Sequence, residues 1–191
     1  TGIADSDWYK IQLVVNTTYG QRIAETVVVI DPDIKNNWPI SLQDLDGGFH
    51  YVTREQPTTA DVNGDGRDEL IIGHNNKVHI FDVNSGREIN GWPKDVRQQN
   101  VWGAVAVGDL DNDGVLEIVA ADNNAKLYVW RANGSLVSGW PRTMSHYIGN
   151  VAIADVDGNG TNEIIVLYYR YYGSVDVVNI AGASLAGWPV S

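Results

Sequence analysis

Cysteine is absent from this chain, and only one methionine and two phenylalanines occur among its 191 residues. With no thiol there is no disulfide, no thiolate metal ligand and no cysteine nucleophile. The absence says little about redox compartment, because a bound metal can staple a small fold as disulfides do. Long apolar runs are missing too. None approaches the ~18 residues of a membrane span, and there is no signal peptide, although a mature secreted fragment would have lost one. Positive charge is scarce: 13 Lys and Arg stand against 24 Asp and Glu, a net charge of −11. With no basic stripe, nucleic acid is excluded as a partner. Neither a Gly-x-Ser-x-Gly elbow nor a His-Glu-x-x-His pair occurs. No stretch sustains a capped 3.6-residue periodicity, so helix should be minimal. What remains is a chain 43% apolar, globular and long enough for one domain with a substantial core.

Its acids are not scattered. Asp61-Val-Asn63-Gly-Asp65-Gly-Arg67-Asp-Glu69, Asp109-Leu-Asp111-Asn-Asp113-Gly-Val115-Leu-Glu117 and Asp155-Val-Asp157-Gly-Asn159-Gly-Thr161-Asn-Glu163 are three versions of one loop. Oxygen side chains fall at positions 1, 3, 5 and 9, with Gly at position 6 where the chain must bend. A hard cation such as Ca²⁺ takes six to eight oxygens at about 2.3–2.6 Å, and these side chains with the position 7 carbonyl (Arg67, Val115, Thr161) close most of a shell. An EF-hand begins the same way but needs a bidentate Glu at position 12 and a following helix. Here position 12 is Ile72, Ala120 or Val166, and the β-branched runs that follow favour strand. Three Ca²⁺ sites are therefore expected, and their six positive charges would take the net −11 to −5. Clustered carboxylates left without calcium would repel, so stability should fall in chelator.

The repeat sets the architecture. Asp61, Asp109 and Asp155 are 48 and 46 residues apart. A second marker, Trp-Pro at Trp38, Trp92, Trp140 and Trp188, recurs at 54, 48 and 48. Asp5 and Asp7 in Ile3-Ala4-Asp5-Ser6-Asp7 begin a fourth copy whose loop has decayed, so a site there should be weak or absent. The repeats are read as approximately 1–41, 42–95, 96–143 and 144–191. Four strand-like segments can be read in the last: 151–154, 163–167, 174–179 and 185–190. The fold class is thus all-β, with β-propeller blades of four antiparallel strands, because one blade cannot bury both faces without neighbours. The repeated Trp reads as packing between blades, with ligand stacking as the alternative.

The loop followed by an aliphatic strand, and the Gly-Trp-Pro ending each unit, resemble the FG-GAP or VCBS repeat family of integrin α-subunit heads and secreted microbial surface proteins. The first repeat departs in its lost loop, and Asn63 and Asn159 stand where Asp is commoner. The resemblance implies that the calcium loop joins the first and second strands, is structural, and lies opposite a partner-binding face. By that mapping the partner face holds His50, Tyr51, Arg54, Trp102, His146, Tyr147, Tyr168, Tyr169, Arg170, Tyr171 and Tyr172. Flat amphipathic side chains of this kind suit protein or glycan partners, and several of them would equally pack at blade edges. Closed rings in this family are usually larger than four blades, so the chain is expected to be a segment of a longer protein or to self-associate.

Extracellular calcium modules work at roughly 10⁻⁴–10⁻³ M, which the cytosol does not hold, so a secreted or cell-surface location is expected. Asn16 and Asn133 head glycosylation sequons in expected turns, and the sequon at Asn159 lies inside a metal loop. The leading reading is a non-catalytic, calcium-stabilised module for binding, adhesion or assembly. The alternative is a carbohydrate-binding propeller or a polysaccharide lyase, with His50, His146 or Tyr147 abstracting a proton beside a calcium-neutralised uronate.

Overall fold

The computed structural model describes residues 8–17, 20–29, 38, 56–96, 100–169 and 173–190, the first two segments as backbone only. Every regular element among them is a β-strand. Strands β1 (Trp8–Thr17) and β2 (Gly20–Val29) pair antiparallel along their whole length as a hairpin. Asn16 lies within β1, opposite Gln21, and not in the turn that the sequon suggests.

Three further sheets follow in chain order. The second sheet holds β3 (Thr58–Ala60), β4 (Glu69–His74) and β5 (Lys77–Asp82), with the short β6 (Arg87–Glu88) and β7 (Lys94–Asp95) both paired to β5. The third runs β8 (Val101–Gly108), β9 (Glu117–Asp122), β10 (Lys126–Arg131) and β11 (Arg142–Thr143), all antiparallel neighbours in sequence order. The fourth runs β12 (Ile148–Ala154), β13 (Glu163–Tyr168) and β14 (Val175–Val178). Among the described residues the fourth strand expected of each unit from the sequence is cut short. It shrinks to two-residue strands or, at 185–190, to the isolated pairings Val178↔Ser184 and Val175↔Val190. The cause is local: the turn between them holds Gly187 at φ +89° and Pro189, which has no N–H to give to a ladder.

The sheets stack face to face. Val62, Ile71, Val78, Ile80 and Trp92 of the second sheet share a core with Val101, Val105, Ile118, Ala120, Tyr128 and Trp130 of the third. Leu110, Val119, Leu127, Val129 and Trp140 of the third share another with Ile148, Val151, Ile164, Val166, Tyr168 and Val178 of the fourth. The third sheet is therefore covered on both faces, which is why β9 (Glu-Ile-Val-Ala-Ala-Asp) is buried at every position rather than alternating. The first strands β3, β8 and β12 lie side by side, as the inner strands of successive blades do.

The repeated Trp ties each unit to the next. The Trp38 indole N–H donates to the Val83 carbonyl at 2.9 Å, Trp92 to Ala132 at 2.9 Å and Trp140 to Ile180 at 2.8 Å. Each acceptor lies in the turn after the third strand of the following sheet. Trp92 and Trp140 are buried, so the ring fills the space between sheets while its polar edge is satisfied. This is the packing role read from the sequence. Trp188 is half-buried. Among the described residues no helix is long and apolar enough to cross a membrane.

Candidate functional site

Each acidic loop joins the first strand of a sheet to the second: β3 to β4, β8 to β9 and β12 to β13. The first Asp organises it. Asp61 Oδ1 accepts the N–H groups of Gly64 and Asp65, and its Oδ2 accepts that of Gly66. Asp155 does the same with Gly158, Asn159 and Gly160. Asp109 holds Asp113 and Gly114. These bonds need left-handed backbone at position 6, where Gly66, Gly114 and Gly160 have φ of +84°, +82° and +88°. Position 4 is left-handed as well, and there the second loop uses Asn112 at φ +58° in place of glycine.

The ninth-position Glu closes each loop from below. Glu69, Glu117 and Glu163 are 1%, 0% and 2% exposed. One oxygen of each accepts a position 2 N–H, from Val62 at 2.9 Å, Leu110 at 2.9 Å and Val156 at 3.0 Å. The other oxygen faces the loop, where that of Glu69 accepts the Asn63 side-chain N–H at 2.9 Å. Burial raises the pKa of Glu69 and Glu117 above the ordinary carboxylate range, against the lowering by those backbone bonds. A buried anion of this kind calls for a cation beside it.

Carboxylate oxygens converge accordingly. Those of Asp65, Glu69 and Asp82 lie within 4.8 Å of one another, as do those of Asp109, Asp111 and Glu117, and those of Asp155, Asp157 and Glu163. Asp82 escaped the sequence reading. It ends β5, directly across the ladder from Glu69, and no motif in the loop points to it. The same register position holds Arg131 opposite Glu117, and Asn179 follows Val178, which pairs with Ile164 beside Glu163. The strand that flanks the loop thus contributes an acid in the first case and a base in the second, while the Asn179 oxygen in the third accepts from the Ala183 N–H of its own turn. The first and third loops fit a divalent cation: hard oxygens converge there, and no ion pair among the described residues closes on them, Arg67 acting on Asp82 only at longer range. The second is filled by the Arg131 guanidinium, which donates to Asp111 at 2.9 Å, Asp113 at 2.9 Å and Glu117 at 3.4 Å.

At the other end of the same strands lies a cleft of about 320 Å³ lined by Trp102, Asn123, Tyr147, Ile148 and Tyr169. The register puts it there: Trp102 pairs with Ala121, whereas Gly108 at the loop end pairs with Glu117, six residues or ~20 Å along β8. Trp102, Tyr147 and Tyr169 are exposed, and the Trp102 and Tyr169 rings stand 6.4 Å apart. Asn123 Oδ1 is buried and without a hydrogen-bond partner among the described residues.

Of the other residues read as partner-facing, Tyr168 is buried, with its hydroxyl 3.3 Å from Asp176 and the His146 ring edge-on at 5.5 Å. Tyr168 and Tyr169 are adjacent in an extended chain and so point to opposite faces. His146 is exposed, its Nδ1 3.0 Å from the Ser145 hydroxyl. His50, Tyr51, Arg54, Arg170, Tyr171, Tyr172, Asp5 and Asp7 lie outside the described residues. Asn133 is exposed in a turn, where its Oδ1 accepts from Ser135.

Stacked antiparallel sheets with an acidic loop between the first two strands of each define a β-propeller-type repeat protein. Residues 61–120 match the family model of the FG-GAP-like repeat, so the chain carries that repeat across its first two loops. No curated protein matches the chain. Among solved structures it is similar to BBS1N in complex with ARL6DN, at 16% identity and TM-score 0.48 over 75% of this chain and 44% of that one. It is also similar to the V. cholerae biofilm matrix protein Bap1, at 18% identity and TM-score 0.39 over 94% of this chain and 35% of that one. The chain therefore spans less than half the length of either.

Proposed function

We propose that this chain is a non-catalytic, calcium-stabilised extracellular module that binds a neutral glycan through the cleft of Trp102, Tyr147 and Tyr169. The observation that carries this reading is the cleft itself. Exposed rings from two adjacent sheets surround it, and among the described residues its lining includes an amide oxygen that lacks a donor and no charged side chain. A sugar ring offers an apolar face to such aromatics and hydroxyl donors to such an amide. Calcium would be held by Asp61, Asp65, Glu69 and Asp82 in the first loop, and by Asp155, Asp157, Asn159 and Glu163 in the third. Bound there, it neutralises carboxylates that the fold brings together, which is a structural service. Extracellular calcium is abundant enough to keep modest sites filled.

A lyase chemistry is disfavoured by placement. It needs calcium beside the base, and among the described residues the acidic loops and the His146–Tyr147 pair sit at opposite ends of the sheets. The test is affinity electrophoresis through gels containing neutral polysaccharides in millimolar CaCl₂. At least one polysaccharide should retard the chain, and Trp102→Ala should run freely. Absence of retardation across the panel, or retardation that survives Trp102→Ala, removes the glycan reading.

A further inference from the structure

The three loops share one sequence pattern, and counting acids ranks the second highest. Asp109, Asp111, Asp113 and Glu117 give it four carboxylates, against three in each of the others (Asp61, Asp65 and Glu69; Asp155, Asp157 and Glu163). The geometry reverses that rank. Backbone N–H groups occupy both oxygens of Asp109, one of Asp113 and one of Glu117. Four oxygens are left over, Asp111 Oδ1 and Oδ2, Asp113 Oδ2 and Glu117 Oε1, and Arg131 takes three of them, one from each carboxylate. The guanidinium comes from the last residue of β10, the register position that supplies Asp82 to the first loop and is Asn179 beside the third.

We infer that Arg131 is the resident cation of the second loop, so that the chain takes two calcium ions rather than the three its sequence pattern implies. The inference rests on the proposed calcium binding at the other two loops. Arg131 is anchored in a strand whose neighbours are buried, so the charge arrives with the fold and needs no ion. Its planar fork suits two carboxylates at once. A divalent ion entering would have to break at least two charge-assisted bonds and share the space with a positive group, which weakens its binding by about 100-fold or more. The second loop is also latched to the third without metal. Asn112 Nδ2 donates to the Gly160 carbonyl at 2.6 Å, and Asn162 Nδ2 to the Asp109 carbonyl at 2.8 Å. A permanently closed middle loop would hold its neighbour in register when calcium is low.

Calorimetric titration with CaCl₂ tests this on the intact chain and on Arg131→Asn, which copies the residue at that register position beside the third loop. Two tight ions in the unmodified chain and three in the variant are expected. Three tight ions in the unmodified chain overturn the inference, and so does an unchanged two in the variant. Amide NMR of the unmodified chain gives a reading that needs no variant. Gly66 and Gly160 should shift over the first two equivalents while Gly114 shifts only near 100-fold excess. Gly114 moving in step with them overturns the inference. No binding by either protein would sink the calcium reading and this inference with it, an outcome distinct from three ions in the unmodified chain.

Discussion

The two ends of strand β8 obey different rules. At the Gly108 end, the loop that follows is spelled almost identically in three units, with the first Asp, the position 6 Gly and the buried ninth Glu in matching roles. At the Val101 end, equivalent positions of the third and fourth sheets hold different residues, Trp102 against Ile148 and Asn123 against Tyr169. A repeated loop is what every unit needs to fold. Residues that differ between units at equivalent positions form the cleft. The lesson is that repetition in this chain marks the scaffold, and departure from repetition marks where a specific partner would be recognised.

If the ends are separate in this way, disturbing one should leave the other intact. Removing calcium is the largest test. At 1 mM and a dissociation constant near 10 μM, each ion stabilises by about 2.7 kcal/mol. Two ions then correspond to a fall in Tm of roughly 10–20 °C in excess EGTA for a chain of this size. Differential scanning calorimetry reads it directly, and an unchanged Tm would erase the contrast between the ends.

Trp140→Ala comes next, at about 3–5 kcal/mol by urea unfolding, because it empties a core shared by two sheets and strands the Ile180 carbonyl. Trp140→Phe should cost about 1–2 kcal/mol, since the ring volume is largely kept while that hydrogen bond is lost. Asp155→Ala removes the acceptor of three backbone N–H groups and a proposed ligand. It should cost about 2–3 kcal/mol in calcium and delete one ion, with glycan retardation unchanged.

The pH dependence that Glu69 contributes should reverse sign with calcium. Without the ion, Glu69 and Glu117 hold their protons more tightly folded than unfolded, because burial raises their pKa above 4.5. Their contribution is then fully present below 4.5 and is lost as pH rises through the raised folded values. With calcium in the first loop Glu69 must be ionised, so its contribution is instead lost as pH falls through that window, whereas Glu117, in the loop that Arg131 fills, responds alike with and without calcium. Thermal melts between pH 4 and 7 with CaCl₂ or with EGTA should therefore differ in slope, with stability lost more as pH rises in EGTA. The smallest effect belongs to the cleft. Trp102 is 39% exposed, so Trp102→Ala should change stability by ~1 kcal/mol or less while abolishing glycan binding. A large loss of stability there would mean that Trp102 belongs to the scaffold after all.

The loops were legible because everything that shapes them is local. An Asp accepting N–H groups three to five residues on, glycines at left-handed positions and a Glu reaching back seven residues all lie within one nine-residue stretch. The strands after the loops and the packing role of Trp92 and Trp140 were legible for the same reason, through β-branched runs and a fixed period. The fourth strand was over-read, because a run such as Leu185 to Val190 carries apolar residues while its Gly and Pro break the ladder. Tyr168 and Tyr169 look alike in a list of residues, and only the pleat decides that one is core and the other cleft.

What the sequence by itself determined is the repeat, the all-β class and three acidic loops, since each follows from residues close in the chain. What only the tertiary structure decided is the identity of the group that faces each loop. Asp82 and Arg131 reach their loops through antiparallel pairing with strands that begin at Glu69 and Glu117. That register is set by burial across whole sheets. The charge at these loops is therefore raised by Asp82 in the first and balanced by Arg131 in the second, neither of which local spacing reveals.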